Sequence, residues 1–181
     1  GYDDNFHYSR LLPSKLSAES QASLIHCAEI GIRALGMKNS PAHVEIIMTP
    51  KGPRIVEIGA RNGGYRERMH RIANGIDITG AALSLALGKP HDAVATRNNA
   101  CAVLELFPKI PGAFVGISHI QELVKLDSLE YFNVKVENGE YIGKAADGYK
   151  MTAVIMLHNS DSQKFAHDLA YIENHCHVIT T

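Results

Sequence analysis

Two short runs rich in β-branched residues flank the segment Thr49-Pro50-Lys51-Gly52-Pro53. Val and Ile favour strands, and Pro and Gly in this order favour a turn, so the sequence predicts a β-hairpin. With the turn centred on Lys51, Glu45 lies as far before the centre as Glu57 lies after it. The two glutamates are therefore expected directly opposite each other, with both side chains on one face.

Two carboxylates in this position repel each other. At about 5 Å and an effective dielectric of about 20 the repulsion is roughly 3 kcal/mol, so a positive charge is expected between them. Mg²⁺ is usually held by one or two carboxylates while phosphate oxygens fill its other positions. Arg61, four residues after Glu57, can add a fixed positive charge at the same edge. The alternative is a solvated outer sheet face with both glutamates in water, or one glutamate paired with a lysine. A register slip of one residue would separate the two glutamates.

Length and composition set limits on the class of protein. The 181 residues suffice for one domain or two small lobes, and 45% hydrophobic with 20% charged residues is typical of a soluble globular chain. The 18 basic and 19 acidic residues are mixed along the sequence and give a net charge of −1. Without a basic block, neither nucleic acid nor a membrane surface is expected as a partner.

The cysteines predict a reducing compartment. Cys27, Cys101 and Cys176 are far apart and lack the spacing of a zinc site or a disulfide framework. No apolar run approaches the length of about 20 residues that spans a bilayer, and the first residues lack the features of a signal peptide. We therefore expect a cytoplasmic protein. Because the chain begins without Met, it can be a processed chain or a piece of a longer protein.

The first half predicts three helices around the hairpin. Ser17 can cap a helix with apolar residues at helical spacing, which ends at Gly36 and packs on the apolar face of the hairpin. A second helix is predicted over 65–73, with Gly75 past its end. Asp77 is expected to cap a third helix over 78–87.

After residue 100 the pattern changes to that of a mainly antiparallel sheet with one or two helices. Strands are predicted at 101–107, 113–117, 131–136, 151–157 and 178–179. Asn138-Gly139 indicates a tight hairpin that leads to a short strand at 141–142. Ser160 is expected to cap the helix before the last strand. Two domains are predicted, residues 1–90 and a small β-rich lobe at 91–181.

Residues of the hairpin and the loop after it resemble the C-terminal lobe of the ATP-grasp superfamily, in the amino-acid ligase and carbamoyl-phosphate-synthase-like branches. In that superfamily two acids on neighbouring strands hold Mg²⁺ ions that bridge the ATP phosphates, and an Arg follows four residues after the second acid. The spacing here, twelve residues and then four, is the same. The residues that carry the resemblance are Ala42-His43-Val44-Glu45, Gly52, Val56-Glu57-Ile58-Gly59-Ala60-Arg61, Gly63-Gly64 and Gly75-Ile76-Asp77.

The resemblance implies a fold and a site. The fold is α+β, an antiparallel-sheet C-terminal lobe of an ATP-grasp domain followed by a small β-rich lobe. Glu45 and Glu57 would ligate Mg²⁺ or Mn²⁺ with bound ATP, and Arg61 would act on phosphate oxygens or the acyl phosphate as the catalytic residue. The family usually has Asn two residues after the second acid, where this chain has Gly59. Asn62, three residues later, is close enough in sequence to take the place of that Asn as a metal ligand.

The implied activity is that of an ATP-dependent ligase that joins a small-molecule carboxylate to an amine through an acyl phosphate, forming a C–N bond. ATP-grasp enzymes hold the nucleotide with lysines and a glycine-rich loop on a preceding lobe, and nothing before Ser9 can supply these. The chain is thus expected to be inactive without an N-terminal ATP-grasp lobe. A non-catalytic grasp-derived binding or assembly module and a carboxylate-metal hydrolase are the alternatives, and a homodimer stays open.

Overall fold

A computed structural model describes residues 7–91 and 93–181. The described residues form helices and antiparallel strands, which confirms the predicted α+β class. They group into two compact units, one of which is Ser14–Asn98. The second unit contains Asn99–Thr181 together with residues 7–13. The two-domain prediction had placed those first residues with the hairpin.

The reason for this grouping is strand pairing. Strand β1 (His7–Leu12) runs antiparallel to β4 (Ala100–Leu106) along its whole length, from His7 opposite Leu106 to Leu12 opposite Cys101. The sequence shows a short extended segment before Pro13, but it does not show the partner strand, which lies far along the chain. A non-local pairing of this kind leaves no local signal.

The unit Ser14–Asn98 is built on the predicted hairpin. In chain order its elements are α1 (Ala18–Ala34), β2 (His43–Thr49), β3 (Gly52–Gly59), α2 (Arg66–Asn74) and α3 (Ile78–Ala86). Three predicted helix termini are confirmed. The Ser17 side chain accepts a hydrogen bond from the backbone N of Ser20, and that of Asp77 accepts one from Gly80. Gly75 ends α2 with a φ of 73°, a left-handed conformation that favours glycine.

Helix α1 packs on the apolar face of the hairpin, as predicted. The contact is close at Gly31, where an added Cβ would lie 2.6 Å from Ile55 Cδ1 and 2.7 Å from Ile58 Cδ1. Alanine at this position would require Ile55 and Ile58 to shift, so the glycine favours the close approach of the helix to β3. Ile55 and Ile58 therefore face α1, and the glutamates are left on the opposite face.

The second unit contains two antiparallel sheets. The larger has the strand order β1-β4-β8-β6 and the smaller β7-β5-β9. The remaining elements, in chain order, are β5 (Gly112–Ile117), α4 (Ile120–Leu123), β6 (Leu129–Val134), β7 (Tyr141–Ile142), β8 (Ala153–Asn159), α5 (Ser162–His175) and β9 (Val178–Thr180). Leu104 and Ile155 on the two central strands and Ile172 on α5 are fully buried. Each such side chain contributes about 1.5–3 kcal/mol by its burial.

Burial is very different in the unit Ser14–Asn98. Among its described residues only Met69 and Ala73 belong to the buried hydrophobic set, whereas α1 and α3 bury no residue fully. Large apolar side chains remain exposed, among them Ile25 at 60% and Leu83 at 61%. This unit therefore has apolar surface left to cover.

Two local predictions in the second half are wrong. Asn138-Gly139 does not join β6 to β7 as a hairpin, because β7 pairs with β5 and the backbone N of Gly139 donates to Phe114 O. The cap of α5 is Asp161, not Ser160, and its carboxylate accepts from the backbone N of Gln163 and Lys164. A carboxylate at a helix N-terminus is also favoured by the helix dipole, which explains why Asp161 takes this position.

Among the described residues no helix is both long and apolar enough to cross a membrane. The three cysteines are free thiols. Burial and, less strongly, the charge of Glu122 raise the pKa of Cys176 to about 11, so this thiol is not a nucleophile.

Asp168 on α5 is a buried carboxyl group with a structural role. It accepts a hydrogen bond from the backbone N of Ser128 at 3.0 Å, and its other oxygen lies 3.1 Å from His167 Nδ1. Burial alone would raise its pKa, but the hydrogen bonds from Ser128 and His167 outweigh burial and hold the pKa of Asp168 below its ordinary value. The ionised form therefore stabilises the fold.

We expect Asp168→Ala to lower the free energy of unfolding by about 1–3 kcal/mol at neutral pH, because the Ser128 N–H is left buried without a partner. Since the folded-state pKa is lowered, this stabilisation is present above the ordinary value of 3.8 and is lost as the pH falls through the folded-state value. Urea unfolding of both proteins across this range checks the prediction.

The matched control is Asp127→Ala, because Asp127 is exposed and pairs with Lys164 on the surface. That variant should lose less than about 1 kcal/mol. If the two variants lose the same stability, or if the loss at Asp168 does not shrink in acid, the assignment is contradicted.

Candidate functional site

Glu45 and Glu57 lie directly opposite each other on β2 and β3, as predicted, but the register that brings them together is different. The turn is made by Pro50 and Lys51 alone, so Thr49 pairs with Gly52. The regular pairing continues to Ile46 opposite Ile55. The register then shifts by one residue between Glu45 and Ile46. Val56 is the extra residue of this β-bulge.

The side chain of Thr49 explains the short turn. Its hydroxyl donates to Gly52 O at 2.7 Å and accepts from Lys51 N at 3.2 Å. A threonine at this position is therefore a sequence signal for a tight turn. The prediction of a turn centred on Lys51 did not take this signal into account. Without the bulge, a turn of this length would place Val56 opposite Glu45. The bulge therefore sets the position of the second carboxylate.

Among the residues that the structure describes, each glutamate has one basic partner. Glu45 Oε1 lies 3.1 Å from His43 Nε2, and Glu57 Oε1 accepts from Arg61 Nη2 at 3.1 Å. The two pairs differ in burial. The His43 side chain is only 11% exposed, whereas Arg61 and Glu57 are 56% and 55% exposed. His43 is thus largely shielded from solvent, whereas the pair of Arg61 and Glu57 is open to it.

The loop after β3 places the remaining predicted ligand. Asn62 Oδ1 is buried and has no hydrogen-bond partner among the described residues, while the carbonyl oxygen of Asn62 accepts from Arg61 Nη1 at 3.1 Å. A Cβ added at Gly59 would lie 3.3 Å from Arg61 Nε. The missing side chain at this position therefore leaves room for the guanidinium of Arg61 to fold back toward Glu57.

Next to this loop lies a cavity of about 290 Å³. Polar side chains on one part of its wall include His43, Asn62 and His70. Apolar residues of α3, among them Ala81 and Leu85, form another part. The cavity belongs to the unit Ser14–Asn98 and adjoins the side of His43 that faces away from solvent.

The residues at the hairpin fit a hard divalent cation. One oxygen of each glutamate makes no hydrogen bond with the described residues, and both side chains are about half exposed. Across 7–91 and 93–181, no group of three or more His, Cys, Asp or Glu side chains is arranged to hold a metal ion. The protein would supply two carboxylates, with Asn62 as a further oxygen. Mg²⁺ bound in this way takes its other ligands from phosphate and water.

The other unit has a second open pocket of about 490 Å³, beside α5. It is lined by Lys125, Lys164 and Asp168, among others. Lys164 pairs with Asp127 and Asp168 is bonded to Ser128, so these groups are already engaged within the protein. Their arrangement indicates surface structure more than a reaction site.

Comparison with solved structures identifies the fold. The L-amino acid ligase of Bacillus licheniformis superposes with a TM-score of 0.80 at 17% identity, over 96% of this chain and 44% of that chain. The phosphoribosylglycinamide synthetase of Anaerococcus prevotii gives 0.70 at 17% identity, over 96% of this chain and 45% of that chain. N5-carboxyaminoimidazole ribonucleotide synthetase of Thermotoga maritima superposes with a TM-score of 0.66 at 11% identity, over 96% of this chain and 46% of that chain.

These are ATP-grasp structures, so the predicted resemblance to the ATP-grasp superfamily is confirmed at the level of the fold. In sequence, the chain is 42% identical over 80 residues to Carnosine synthase 1 of Gallus gallus. That match covers 44% of this chain and 9% of the relative. No protein-family model matches the chain. The chain spans less than half the length of each of these relatives.

The bulge at Val56 was not predicted from the sequence, although Thr49 gives a signal for the shorter turn. The structure also places Gly63 against the ring of His43, where an added Cβ would lie 2.6 Å from Nδ1.

The bulge makes a specific prediction about register. Deleting Val56 should turn β2 and β3 into a regular hairpin and keep Glu45 opposite Glu57, because Val56 is the unpaired residue. Inserting one Ala between Val56 and Glu57 should separate the pair, because a shift of one residue moves a side chain to the other face. Cross-strand nuclear Overhauser effects between the two glutamates report the pairing.

Both variants keep the turn and the apolar residues that face α1, so the comparison isolates the register. If the contact is lost on deletion of Val56, or kept after the insertion, then strand register does not set the position of Glu57.

Proposed function

We propose that the chain is the C-terminal part of an ATP-dependent carboxylate–amine ligase that works through an acyl phosphate. The observation that carries the proposal is the pairing of Glu45 with Glu57, with Arg61 held against Glu57. Two opposed carboxylates with free oxygens match the way proteins hold Mg²⁺ against phosphates. The likeness of the fold to an L-amino acid ligase supports the same conclusion.

In this proposal Glu45 and Glu57 hold Mg²⁺ or Mn²⁺, and the unpartnered Oδ1 of Asn62 is the third protein oxygen. When bound, the metal ion neutralises charge on the phosphate groups of ATP. Arg61 is the catalytic residue. Its planar guanidinium carries several donors in a fixed fork, which suits phosphate oxygens and the oxyanion of an acyl phosphate.

The reaction has two steps. An oxygen of the substrate carboxylate attacks the γ-phosphorus of ATP, the bond between that phosphorus and the bridging oxygen breaks, and ADP leaves. The nitrogen of the amine then attacks the acyl carbon, the bond from carbon to the phosphate oxygen breaks, and phosphate leaves as the nitrogen loses a proton. The chain contributes positioning and charge stabilisation in both steps.

The substrates are proposed to be small molecules. The similarity to an L-amino acid ligase and to a carnosine synthase supports a small carboxylate and a small amine. The mixed surface charge, with 18 basic and 19 acidic residues, does not favour a nucleic-acid substrate.

The proposal includes an N-terminal ATP-grasp lobe that binds the nucleotide. The exposed apolar surface of the unit Ser14–Asn98 supports this partner, since α1 alone leaves Ile25 60% and Ile30 53% exposed. Surface of this kind is usually covered by another part of the protein. A homodimer would be the other way to cover it.

Gly59 favours one alternative, a non-catalytic grasp-derived module. Where the family usually has Asn, this chain offers no side chain to a cation, and Arg61 occupies the space. In this alternative the hairpin binds nucleotide or a partner without turnover.

The test uses the chain joined to its N-terminal lobe and measures Mg²⁺-dependent ADP release with a panel of acids and amines. We expect Glu45→Gln and Glu57→Gln to lower kcat/KM by more than about 100-fold. Mutation of a residue that only supports a metal ligand already lowers metal affinity or activity by about 10–100-fold, and loss of a ligand itself should cost more. The matched control is Glu29→Gln, which breaks an exposed pair with Arg33 of the same spacing on α1.

Nucleotide binding without turnover for any acid and amine would favour the non-catalytic module. Cleavage of a phosphate ester without ATP would favour a hydrolase. Equal activity of the Glu57→Gln and Glu29→Gln proteins would contradict the proposed site.

A further inference from the structure

The imidazole of His43 lies between two groups at the hairpin edge. Its Nε2 is 3.1 Å from Glu45 Oε1. Because a carboxylate can only accept, Nε2 carries the proton and donates it. Gly63 stands against the other side of the ring, and a Cβ added there would lie 2.6 Å from Nδ1, 3.0 Å from Cε1 and 3.2 Å from Cγ. The ring is therefore confined from both sides.

The confinement at Gly63 is steric. A contact below 3.0 Å is one that Cβ atoms essentially never make, so alanine at this position must move the ring. The neighbouring glycine behaves differently, since a Cβ at Gly64 meets no atom within 4 Å. Neither glycine has a positive φ, so alanine is compatible with the backbone at both positions.

We propose that Gly63 and His43 act together as positioning residues for the Glu45 carboxylate. The glycine holds the ring in place, and the ring fixes the orientation of the carboxylate toward the cation. This inference rests on the proposed function, in which Glu45 is a metal ligand. It assigns Gly63 a role in metal binding through His43, without contact with the metal or the substrate.

The burial of His43 supports the proposal. At 11% exposure its side chain has little freedom, whereas the Arg61 partner of Glu57 is 56% exposed. One carboxylate is thus paired with a largely buried side chain and the other with an exposed one. Groups that orient a metal ligand in this way typically account for a 10–100-fold difference in metal affinity.

The test measures, by electron paramagnetic resonance, the dissociation constant of Mn²⁺ for the chain joined to its N-terminal lobe, in the presence of a non-hydrolysable ATP analogue. We expect Gly63→Ala to weaken Mn²⁺ binding by about tenfold, the order found for groups that orient a metal ligand. Gly64→Ala is the matched control and should bind as the unmodified chain does. The NMR signals of the His43 ring should shift in Gly63→Ala and stay in place in Gly64→Ala.

A double-mutant cycle separates this role from a general structural one. His43→Ala should weaken Mn²⁺ binding, and adding Gly63→Ala to it should have no further effect because the ring is gone. His43→Gln, which keeps a donor near the position of Nε2, should restore part of the affinity. Thermal unfolding of each variant shows that the chain is folded.

The outcomes distinguish this inference from the function on which it rests. If Glu45→Gln does not weaken Mn²⁺ binding, or if the joined protein with the ATP analogue does not bind Mn²⁺ at the two glutamates, the proposed metal site is wrong. If Glu45→Gln weakens binding but Gly63→Ala does not, only the positioning role is wrong. If Gly63→Ala weakens Mn²⁺ binding equally in the presence and in the absence of the His43 side chain, the positioning role is also wrong.

Discussion

Two carboxylates of like charge face each other where β2 and β3 pair, and the residues around them compensate for that charge. In water, charges about 4 Å apart repel by about 1 kcal/mol, and the repulsion grows as the site loses water. His43 and Arg61 each offset one carboxylate. Each also leaves the second oxygen of its partner open. The hairpin therefore keeps two open carboxylate oxygens that a divalent cation can bind.

The remainder of the unit Ser14–Asn98 holds this edge in position. Gly31 lets α1 approach Ile55 and Ile58, which fixes the apolar face of the hairpin and leaves the glutamates on the other. Gly63 supports the ring of His43 in the same way. Two glycines thus serve close contacts between elements, and neither of these needs a left-handed backbone. The local geometry of the site depends on the absence of these side chains.

Sequence predicted local structure well where the signal is local. The caps at Ser17 and Asp77, the terminator at Gly75 and the opposition of Glu45 and Glu57 are all present. The opposition was reached through an incorrect register, because a longer turn and a missing bulge cancelled each other. The resemblance to the ATP-grasp superfamily depended on the same spacing, and the fold confirms it.

Contacts between distant segments could not be predicted from local sequence patterns. The pairing of β1 with β4 and of β7 with β5 depends on contacts between distant segments. The contact between Gly63 and His43 likewise requires the loop after β3 to return to the start of β2. No local pattern in the sequence predicts this contact.

The most direct measurement is a crystal structure of the chain joined to its N-terminal lobe, grown with Mn²⁺ and a non-hydrolysable ATP analogue. Anomalous scattering from manganese locates the ion without assumptions about its ligands. The account predicts a manganese peak bound by carboxylate oxygens of both Glu45 and Glu57 and by phosphate oxygens of the nucleotide. Bound nucleotide with manganese elsewhere, and with Glu57 paired only with Arg61, would contradict it.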